Sequence, residues 1–597
     1  MKSHIPDLDG VCSGAIASDY QRLRVENVCS RLGLVSLSLL WHQPQLKLLE
    51  DMIASGIEAV LVKVAAMGLD PQTHLHQSLA DVKSHLVMLR DRYGCNVCGE
   101  GGEYETIVLD CPFFRLGRIE IEQATIMKES GTGDIAPSGV ISVQSFHIQS
   151  KGEANENDSH IFVVPSEFEI AQDHAKTELA FDAIKKFRHH VSLRVTDAGN
   201  FIQFQLTLSD ASTLAQDPCG TQHCLRLQLE TLKEAVADRQ LSFDQTVFVH
   251  LLLKDMRHFA AANEIYCQFF PSVNPPSRAC IEVALQVPCE LCVLMHESAS
   301  DHSSERKVLH VQSISAWAPC CIGPYSQATT LGNIIFMAGQ LGLDPLSMRF
   351  NGMSWQQEVS LALKHCQSVA IAVGADMRRS AIKIAVYLSE KFVSGLTEMD
   401  KQLLESLFES HWPATAQHRS EVNLEDSWEN VEDEYLKTRP FDFEIRPIFS
   451  FITVPTLPKQ ANVKIQPILV NGNCVEEEAE RQAGALTVDP CMFPDCQFSK
   501  EEWSSKRFNL HVSGMTVDVE SDKFAFSPTA RVLMDQSGLM LVQIQIPQLL
   551  DPASSKSAER LAETFQRLVT CCLSNCGSRA RSVLSATFWY NNDHLNL

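Results

Sequence analysis

Hydrophobic positions in the first 150 residues alternate between helical and strand spacing. The first predicted helix begins at a Ser18 cap with Gln21 three residues later and ends at Gly33. Its apolar residues recur at i, i+3, i+4 and i+7: Val25, Val28, Cys29 and Leu32. Further helices are predicted at 45–55 and 75–94, and strands at 34–41, 57–64 and 106–109. This alternation predicts an α/β domain with a parallel sheet.

The rest of the chain repeats one strand-then-helix pattern three times. The strands are predicted at 199–208, 332–340 and 538–546, and the helices that follow at 224–238, 356–373 and 557–573. The helices share apolar spacing of i, i+4, i+7 and i+11, at Leu225/Leu229/Leu232/Val236, Val359/Leu363/Cys366/Ala370 and Leu561/Phe565/Leu568/Cys572. We interpret them as diverged copies, the third the most diverged. Polar stretches without periodicity predict linkers at 129–138, 149–160, 296–307 and 421–434.

Composition bounds the class of protein. A chain of 597 residues divided by about 150 residues per domain suggests roughly four domains. With 45% hydrophobic and 21% charged residues, a fibrous or mainly disordered chain is excluded. The net charge of −23 disfavours nucleic acid and anionic membranes as partners. No apolar run is long enough for a membrane span and no signal core is present, so the 20 Cys predict reduced thiols in the cytoplasm.

The first candidate site is an acidic, glycine-rich turn at residues 99–106. Gly101 and Gly102 allow a backbone to approach a ligand, while Glu100, Glu103 and Glu105 crowd carboxylates next to a predicted strand. Such carboxylates hold Mg²⁺ or share protons. The alternative is a turn with solvated glutamates, and the spacing alone does not choose between the two.

The second candidate site is the small-residue loop at residues 13–22. It enters a helix N-terminus, whose free N–H groups attract anions, and Arg22 and Arg24 could add positive charge. An ordinary capped helix explains the same residues and is favoured on the residues alone.

Other motifs narrow the chemistry further. Cys95 and Cys98 form a C-x-x-C, but no second pair follows at zinc spacing, so free thiols are favoured over a metal site. The chain has no G-x-x-x-x-G-K-[ST], G-x-S-x-G or H-E-x-x-H. P-loop kinases, elbow-type serine hydrolases and zincins are therefore not leading interpretations.

Residues 14–34, 40–41, 57–71 and 98–114 closely resemble the diphthine-ammonia ligase family of ATP-pyrophosphatase-type amidases. The resemblance covers about residues 9–145 and implies a HUP-like, parallel-sheet domain at residues 1–150. It implies that ATP adenylylates the diphthine carboxylate of elongation factor 2 and that ammonia then displaces AMP, with ATP and Mg²⁺ as cofactors.

The resemblance also assigns residues to the site. Glu100, Glu103 and Glu105 match the family's acidic signature and are the implied catalytic residues, with Mg²⁺ at Glu100 and Glu103. The implied ATP-binding residues are Ser13, Gly14, Asp19, Tyr20, Gln21, Arg22, Gly101 and Gly102. The family's Ser-Gly-Gly-Lys-Asp-Ser-type pyrophosphate loop and first strands do not occur in this sequence. We therefore expect an incomplete sheet, and either a truncated form of a ligase or a chain that has lost ATP chemistry.

The later copies resemble the RidA/YjgF family. Residues 318–328, 332–333, 339–340 and 344–345 carry the resemblance in one copy, and segments within 255–284 carry it in the other. It implies tandem α+β, chorismate-mutase-like domains at 187–300 and 311–470, with residues 471–597 as a degenerate third repeat. The family's activity is hydrolysis of 2-imino acids, in which an arginine grips the carboxylate and a glutamate positions water.

Neither copy keeps the complete RidA set. Arg278 matches the arginine of the first copy. The family's other positions hold different residues: Leu294 and His296 in the first copy, and Phe449, Lys464 and Gln466 in the second. Because the family's sites lie between subunits, we predict that Arg278 and Tyr325 of the other copy form one composite pocket.

Two classes of function follow from these resemblances. The first is an enzyme that amidates diphthine on elongation factor 2. The second is a RidA-type binding or scaffold protein with a ligase remnant, which docks elongation factor 2 and oligomerises through its RidA-like domains, or a 2-imino acid deaminase. The acidic turn favours the ligase, and the absent pyrophosphate loop favours the scaffold.

Overall fold

The computed structural model describes residues 5, 8–128, 136–151, 191–198, 200–209, 219–271, 273–297, 306–332, 334–411 and 447–470, and the backbone of five strands between 496 and 585. The predicted linker at 421–434 lies outside these residues, and the other three do so in part. None of the helices in these ranges is long and apolar enough to cross a membrane.

The N-terminal unit contains a small parallel sheet and a larger antiparallel one. Its elements are β1 (Gly10–Cys12), α1 (Asp19–Leu32), β2 (Val35–Leu37), α2 (Gln45–Ala54), β3 (Glu58–Val64), α3 (Pro71–His74), α4 (Leu79–Tyr93), β4 (Tyr104–Asp110), β5 (Gly117–Lys128) and β6 (Gly139–Ser150). Parallel pairing is confirmed for β1 and β2. The larger sheet has the order β4-β3-β6-β5.

The predicted parallel pairing of the strands at 57–64 and 106–109 is wrong, because β3 and β4 are antiparallel. After β3 the chain turns back, and Ser78 bridges to Val60 in the antiparallel sense. α4 then carries the chain forward again, so that Tyr104 begins β4 opposite Val64 at the end of β3. The return of the chain between β3 and α4, which ends at Ser78 and which periodicity did not identify, makes β4 antiparallel to β3.

The predicted ends of α1 are confirmed, and of its four predicted apolar positions Cys29 is buried while Val28 and Leu32 are exposed. The Ser18 hydroxyl accepts a hydrogen bond from the Gln21 amide, and Gly33 ends the helix with φ of 62°. Val28 and Leu32 are each 50% exposed. The buried face consists of Arg22, Glu26 and Cys29. Burial of this polar face follows from its contacts with a later part of the chain.

Two units with the same topology follow. The first contains β7 (Val191–Ala198), β8 (Phe201–Leu208), α5 (Gly220–Asp238), β9 (Thr246–Leu253), α6 (Phe259–Tyr266), β10 (Ser277–Glu282) and β11 (Cys289–His296). The second contains β12 (Arg306–Leu309), β13 (Ala328–Leu331), β14 (Ile334–Met337), β15 (Gln340–Leu341), α7 (Trp355–Ala372), α8 (Met377–Ser380), β16 (Ala381–Ser389), α9 (Glu390–Gly395), α10 (Glu398–His411), β17 (Ile448–Val454) and β18 (Val463–Val470).

The sheet orders are β10-β9-β11-β8-β7 and β12-β13-β14-β18-β16-β17. Across each sheet, the unit's last strand (β11 or β18) lies between a hairpin (β7–β8 or β13–β14) and a pair of parallel strands (β9 and β10, or β16 and β17). The predicted apolar faces of α5 and α7 are confirmed, because all eight residues are at most 2% exposed. The shared topology supports the interpretation as diverged copies.

The two copies pack through the faces of their sheets. Phe248 and Ala279 of the first copy form one apolar cluster with Leu331 and Phe336 of the second. A second cluster joins Ile281 to residues of β15, β16 and β17. Burial of these faces removes apolar surface from water and fixes the edge of β10 against the second copy.

The last strands are β19 (Cys496–Ser505), β20 (Leu510–Val519), β21 (Thr529–Met534), β22 (Leu539–Gln545) and β23 (Ser582–Ser585). They pair in sequence order, and β22 and β23 are parallel. The predicted strand at 538–546 corresponds to β22. The predicted helix at 557–573 lies outside the described residues, and a third repeat stays a prediction.

Candidate functional sites

The acidic turn folds tightly onto itself between α4 and β4. Gly99 has φ of 74°, and a Cβ there would lie 2.8 Å from the Tyr104 carbonyl oxygen. The Tyr104 hydroxyl donates to the Val97 carbonyl oxygen at 2.6 Å. Gly102, with φ of 86°, lies in open space. Glycine is therefore required at position 99 by both conformation and space.

Glu100 connects the two candidate motifs of the N-terminal unit. Its carboxylate accepts hydrogen bonds from the backbone N–H groups of Ile16 and Ala17, both at 2.8 Å, and of Ser18 at 3.2 Å. These N–H groups precede α1, where the sequence predicted an anion. The structure thus brings the predicted catalytic and ATP-binding segments together, with the Glu100 carboxylate in the place of that anion.

The other two glutamates have separate partners. Glu103 Oε1 accepts from the Asn96 N–H at 2.9 Å, and its buried Oε2 has no hydrogen-bond partner. Glu105 forms an ion pair with Lys63 at 3.0 Å and is 60% exposed. Gly101 packs against the Glu103 carboxylate, since a Cβ there would lie 2.7 Å from Oε1. In the described part of the chain no group of three or more His, Cys, Asp or Glu side chains is placed to hold a metal ion.

The remaining residues of the 13–22 loop have local contacts. The Ser13 hydroxyl accepts from the Ala15 N–H at 3.3 Å, and Gly14 has open space around its Cα. Tyr20 is 66% exposed and its ring lies 4.1 Å from the Arg24 guanidinium. Gln21 is exposed and contributes its backbone N–H to the Ser18 cap.

Arg22 points away from this loop and toward the second RidA-like copy. It is 2% exposed, and its guanidinium bonds Glu26 at 2.7 Å, the His310 carbonyl oxygen at 2.9 Å and Asp19 at 2.7 Å. It also lies 4.6 Å from the centre of the Trp41 ring. These contacts engage both terminal nitrogens in the fold, so they do not support the predicted ATP-binding role of Arg22.

Sequence reasoning did not identify Glu26, which completes this contact. Its Oε1 accepts from the Ser313 N–H at 2.8 Å, the Ser313 hydroxyl at 2.6 Å and the Gln312 N–H at 3.1 Å. The i, i+4 spacing of Arg22 and Glu26 was visible in the sequence. The partners of Arg22 and Glu26 lie 286 to 288 residues further along the chain, and no feature of the sequence indicated them.

Cys95 and Cys98 are free thiols. Burial raises the pKa of each thiol to about 11, and Glu103 and Glu100 respectively add to the shift. The Cys98 thiol donates to the Gln45 carbonyl oxygen at 3.2 Å. A protonated thiol is a weaker nucleophile than a thiolate.

Arg278 and Tyr325, which the sequence predicted to share a composite pocket, lie next to each other across the two copies. Arg278, on β10, is 2% exposed, and its guanidinium carbon lies 5.3 Å from the centre of the Tyr325 ring. Tyr266 lies on it at 4.6 Å. Its Nη2 donates to Asn263 Oδ1 at 2.7 Å, while Nε and Nη1 are buried and have no hydrogen-bond partner among the described residues.

The residues at the family's glutamate positions have diverse surroundings. Gln466 accepts from the Tyr387 hydroxyl at 2.9 Å. Lys464 is buried and donates from Nζ to the Cys280 carbonyl oxygen at 2.8 Å. Leu294 packs in the apolar cluster between the copies, and burial lowers the pKa of His296. Phe449, at the second copy's arginine position, packs against Phe451.

Comparison with family models assigns the two kinds of unit. Residues 44–136 match the diphthamide synthase C-terminal domain. Residues 180–291 and 315–470 match the family model described as endoribonuclease L-PSP. The order of these matches agrees with the fusion that the two resemblances predicted.

Curated relatives named diphthine-ammonia ligase match different lengths of the chain. The protein of Schizosaccharomyces pombe is 36% identical over 391 residues, or 62% of this chain and 61% of that protein. The protein of Saccharomyces cerevisiae is 32% identical over 433 residues, or 66% and 61%. The Danio rerio protein is 48% identical over 146 residues, or 24% and 56%. The chain spans about three fifths of these relatives' lengths. It is similar to proteins named diphthine-ammonia ligase, and its own match to the diphthamide synthase C-terminal domain is followed by two matches to endoribonuclease L-PSP.

Proposed function

We propose that this chain acts in ATP-dependent amidation of diphthine on elongation factor 2, with ammonia as the nitrogen donor, in the cytoplasm. The observation that carries the proposal is the contact of Glu100 with the N–H groups of residues 16–18. It joins the two signature segments of the diphthine-ammonia ligase resemblance into one site. The names of the curated relatives support the same reaction.

The chemistry sets what the site must do. A carboxylate becomes a good electrophile when ATP converts one oxygen into a leaving group, and the negative charge on the departing pyrophosphate must be stabilised. The N–H groups at residues 16–18 fit an anion, because they already bind the Glu100 carboxylate. Mg²⁺ fits less well in the described residues, because Glu100, Glu103 and Glu105 bond to different groups.

The test is an amidation assay with elongation factor 2 that carries diphthine. The protein is purified from its own cells, and its intact mass is compared with 66.5 kDa to establish which form is assayed. We expect ATP-dependent incorporation of ¹⁵N-ammonia into diphthamide and release of AMP. If neither that protein nor the 597-residue chain restores diphthamide in cells that lack a diphthine-ammonia ligase, the ligase proposal is wrong.

A second candidate function is binding of a small carboxylate between the RidA-like copies. The two unpartnered guanidinium nitrogens of Arg278 favour it, because a planar guanidinium pairs well with a carboxylate. Hydrolysis of 2-imino acids has less support, since Lys464 and Gln466 stand where the resemblance expects glutamates.

Substitution of Arg278 tests this second function. We expect an Arg278→Ala variant to lose binding of butyrate by at least tenfold in isothermal titration calorimetry, because the fork that receives the carboxylate is removed. Arg257→Ala, at a side chain that is 88% exposed, is the matched control and should bind as the parent does. Equal binding by the Arg278→Ala variant and the parent contradicts the proposal.

A further inference from the structure

The junction of the two RidA-like copies contains two buried cations without a carboxylate partner in the described part of the chain. Arg278 comes from β10 of the first copy and Lys464 from β18 of the second, and they are 2% and 5% exposed. Neither forms an ion pair with a carboxylate of these residues. Buried charges are normally paired, because removal from water is costly. Two such cations at one junction favour the binding of an anion there.

Arg278 is fixed in position with two of its nitrogens unused. The rings of Tyr266 and Tyr325 lie 4.6 and 5.3 Å from the guanidinium carbon, and Phe259 lies at 5.7 Å. Asn263 takes a hydrogen bond from Nη2, which leaves Nε and Nη1 without partners. A guanidinium held this rigidly loses little entropy when it binds a carboxylate.

Lys464 lies close to Arg278 along the edge of β10. Its Nζ donates to the carbonyl oxygen of Cys280, two residues after Arg278 on the same strand. The ammonium can donate three hydrogen bonds, and the bond to the Cys280 carbonyl oxygen uses one of them. The aliphatic part of Lys464 packs on Gly339, where a Cβ would overlap it. Burial, together with the nearby Arg278 charge, lowers the pKa of Lys464 to about 8, so the side chain is still mostly protonated at neutral pH.

A cavity borders the neighbours of both cations. Its lining includes Tyr325, which contacts Arg278, and Gly339, which contacts Lys464. Gln327 and Gln340 add polar groups to the same lining. The lining residues all belong to the second copy, and the cavity reaches Arg278 and Lys464 only through their neighbours Tyr325 and Gly339.

We propose that this junction binds a small dicarboxylate, with one carboxylate on Arg278 and the second near Lys464. The inference rests on the proposed carboxylate site and specifies its ligand class. A monocarboxylate neutralises only one of the two buried cations, whereas a dicarboxylate neutralises both. Lys464 is thus the residue that determines specificity.

Calorimetric titration of the full chain with succinate and butyrate tests the proposal. The two ligands have the same number of carbons and differ in the second carboxylate. We expect succinate to bind at least tenfold more tightly than butyrate at pH 7. In a Lys464→Met variant this preference should fall below twofold, while Lys464→Arg keeps it. The exposed Lys307→Met is the matched control.

The outcomes separate this inference from the carboxylate site on which it rests. Equal binding of succinate and butyrate by the parent overturns the dicarboxylate inference and leaves the carboxylate site in place. Absence of binding of both ligands at millimolar concentration overturns both. Retention of the succinate preference in a folded Lys464→Met variant, checked by near-ultraviolet circular dichroism, shows that Lys464 does not recognise the second carboxylate.

Discussion

At the scale of single residues, the contacts of Glu100 explain why the acidic turn lies where it does. Three backbone N–H groups converge on its two carboxylate oxygens. Hydrogen bonds to a charged acceptor are among the stronger ones in proteins. Glu105, only five residues away, has an exposed side chain and one ion pair. Glu100 and Glu105 belong to one motif, but only Glu100 links the turn to a distant segment of the fold.

A Glu100→Gln variant tests this difference. The amide has one acceptor oxygen in place of two and directs an NH₂ group at backbone donors, so we expect a loss of about 1–3 kcal/mol in local stability. Hydrogen exchange of the amides of residues 16–18 should accelerate by at least fivefold. Glu105→Gln is the matched control and should leave those rates within twofold of the parent. Exchange at the amides of residues 16–18 that is as slow in the Glu100→Gln variant as in the parent would show that the carboxylate does not stabilise this loop.

At the scale of elements, α1 shows how a helix with a readable apolar pattern can bury a polar face. Arg22 and Glu26 lie on one side of the helix and make bonds to residues 310–313. β2 continues this contact, since Leu37 bridges to Ile314. The helix thus connects the N-terminal unit to the second RidA-like copy through buried polar groups and backbone pairing.

Removal of one member of the buried pair tests this connection. We expect Glu26→Gln to destabilise the junction by about 1–3 kcal/mol, because the bonds of Glu26 to Arg22 and Ser313 lose a charged acceptor, while Asp19 still pairs with Arg22. A double variant, Arg22→Met with Glu26→Leu, should recover part of that loss. The exposed Arg24→Met is the control. Exchange protection of residues 310–314 is the measurement, and unchanged protection in the single variant would contradict a role in docking.

At the scale of the whole molecule, the junctions between units contain neutral histidines. His310 lies where α1 meets the second copy, and burial, with the Arg22 charge nearby, lowers its pKa to about 4. Burial, with the charges of Lys383 and Lys464 of the second copy nearby, lowers the pKa of His250 in the first copy to about 4. In the unfolded chain a histidine titrates near 6.5. Between these values the unfolded chain binds more protons, so stability falls as pH decreases from about 6.5 to 4.

A His310→Asn variant tests the pH dependence. At pH 7 His310 is mostly neutral in both the folded and the unfolded chain, so its ionisation contributes little to the free energy of unfolding at that pH. At pH 4 a folded-state pKa near 4 against 6.5 in the unfolded chain corresponds to a loss of up to roughly 3 kcal/mol. We expect the melting temperature of the variant to fall less than that of the parent between pH 7 and pH 4.5. The melting temperature of the exposed His147→Asn control should fall as much as that of the parent. If the melting temperatures of the parent and both variants fall equally with pH, the role of His310 in the pH dependence is contradicted.

The sequence by itself determined the local elements and the repetition. Capping residues and glycines set both ends of α1, and the apolar spacing of α5 and α7 identified their buried faces, because one helix face must meet a core. Which distant segments meet depends on tertiary packing: Glu100 with residues 16–18, Glu26 with Ser313, and Lys464 with the Cys280 carbonyl oxygen. The pairing of Arg278 with Tyr325 was expected from the RidA resemblance. Periodicity reports on one element at a time. The direction of β4 and the burial of polar side chains depend on how the chain returns to pair with a partner far along the sequence.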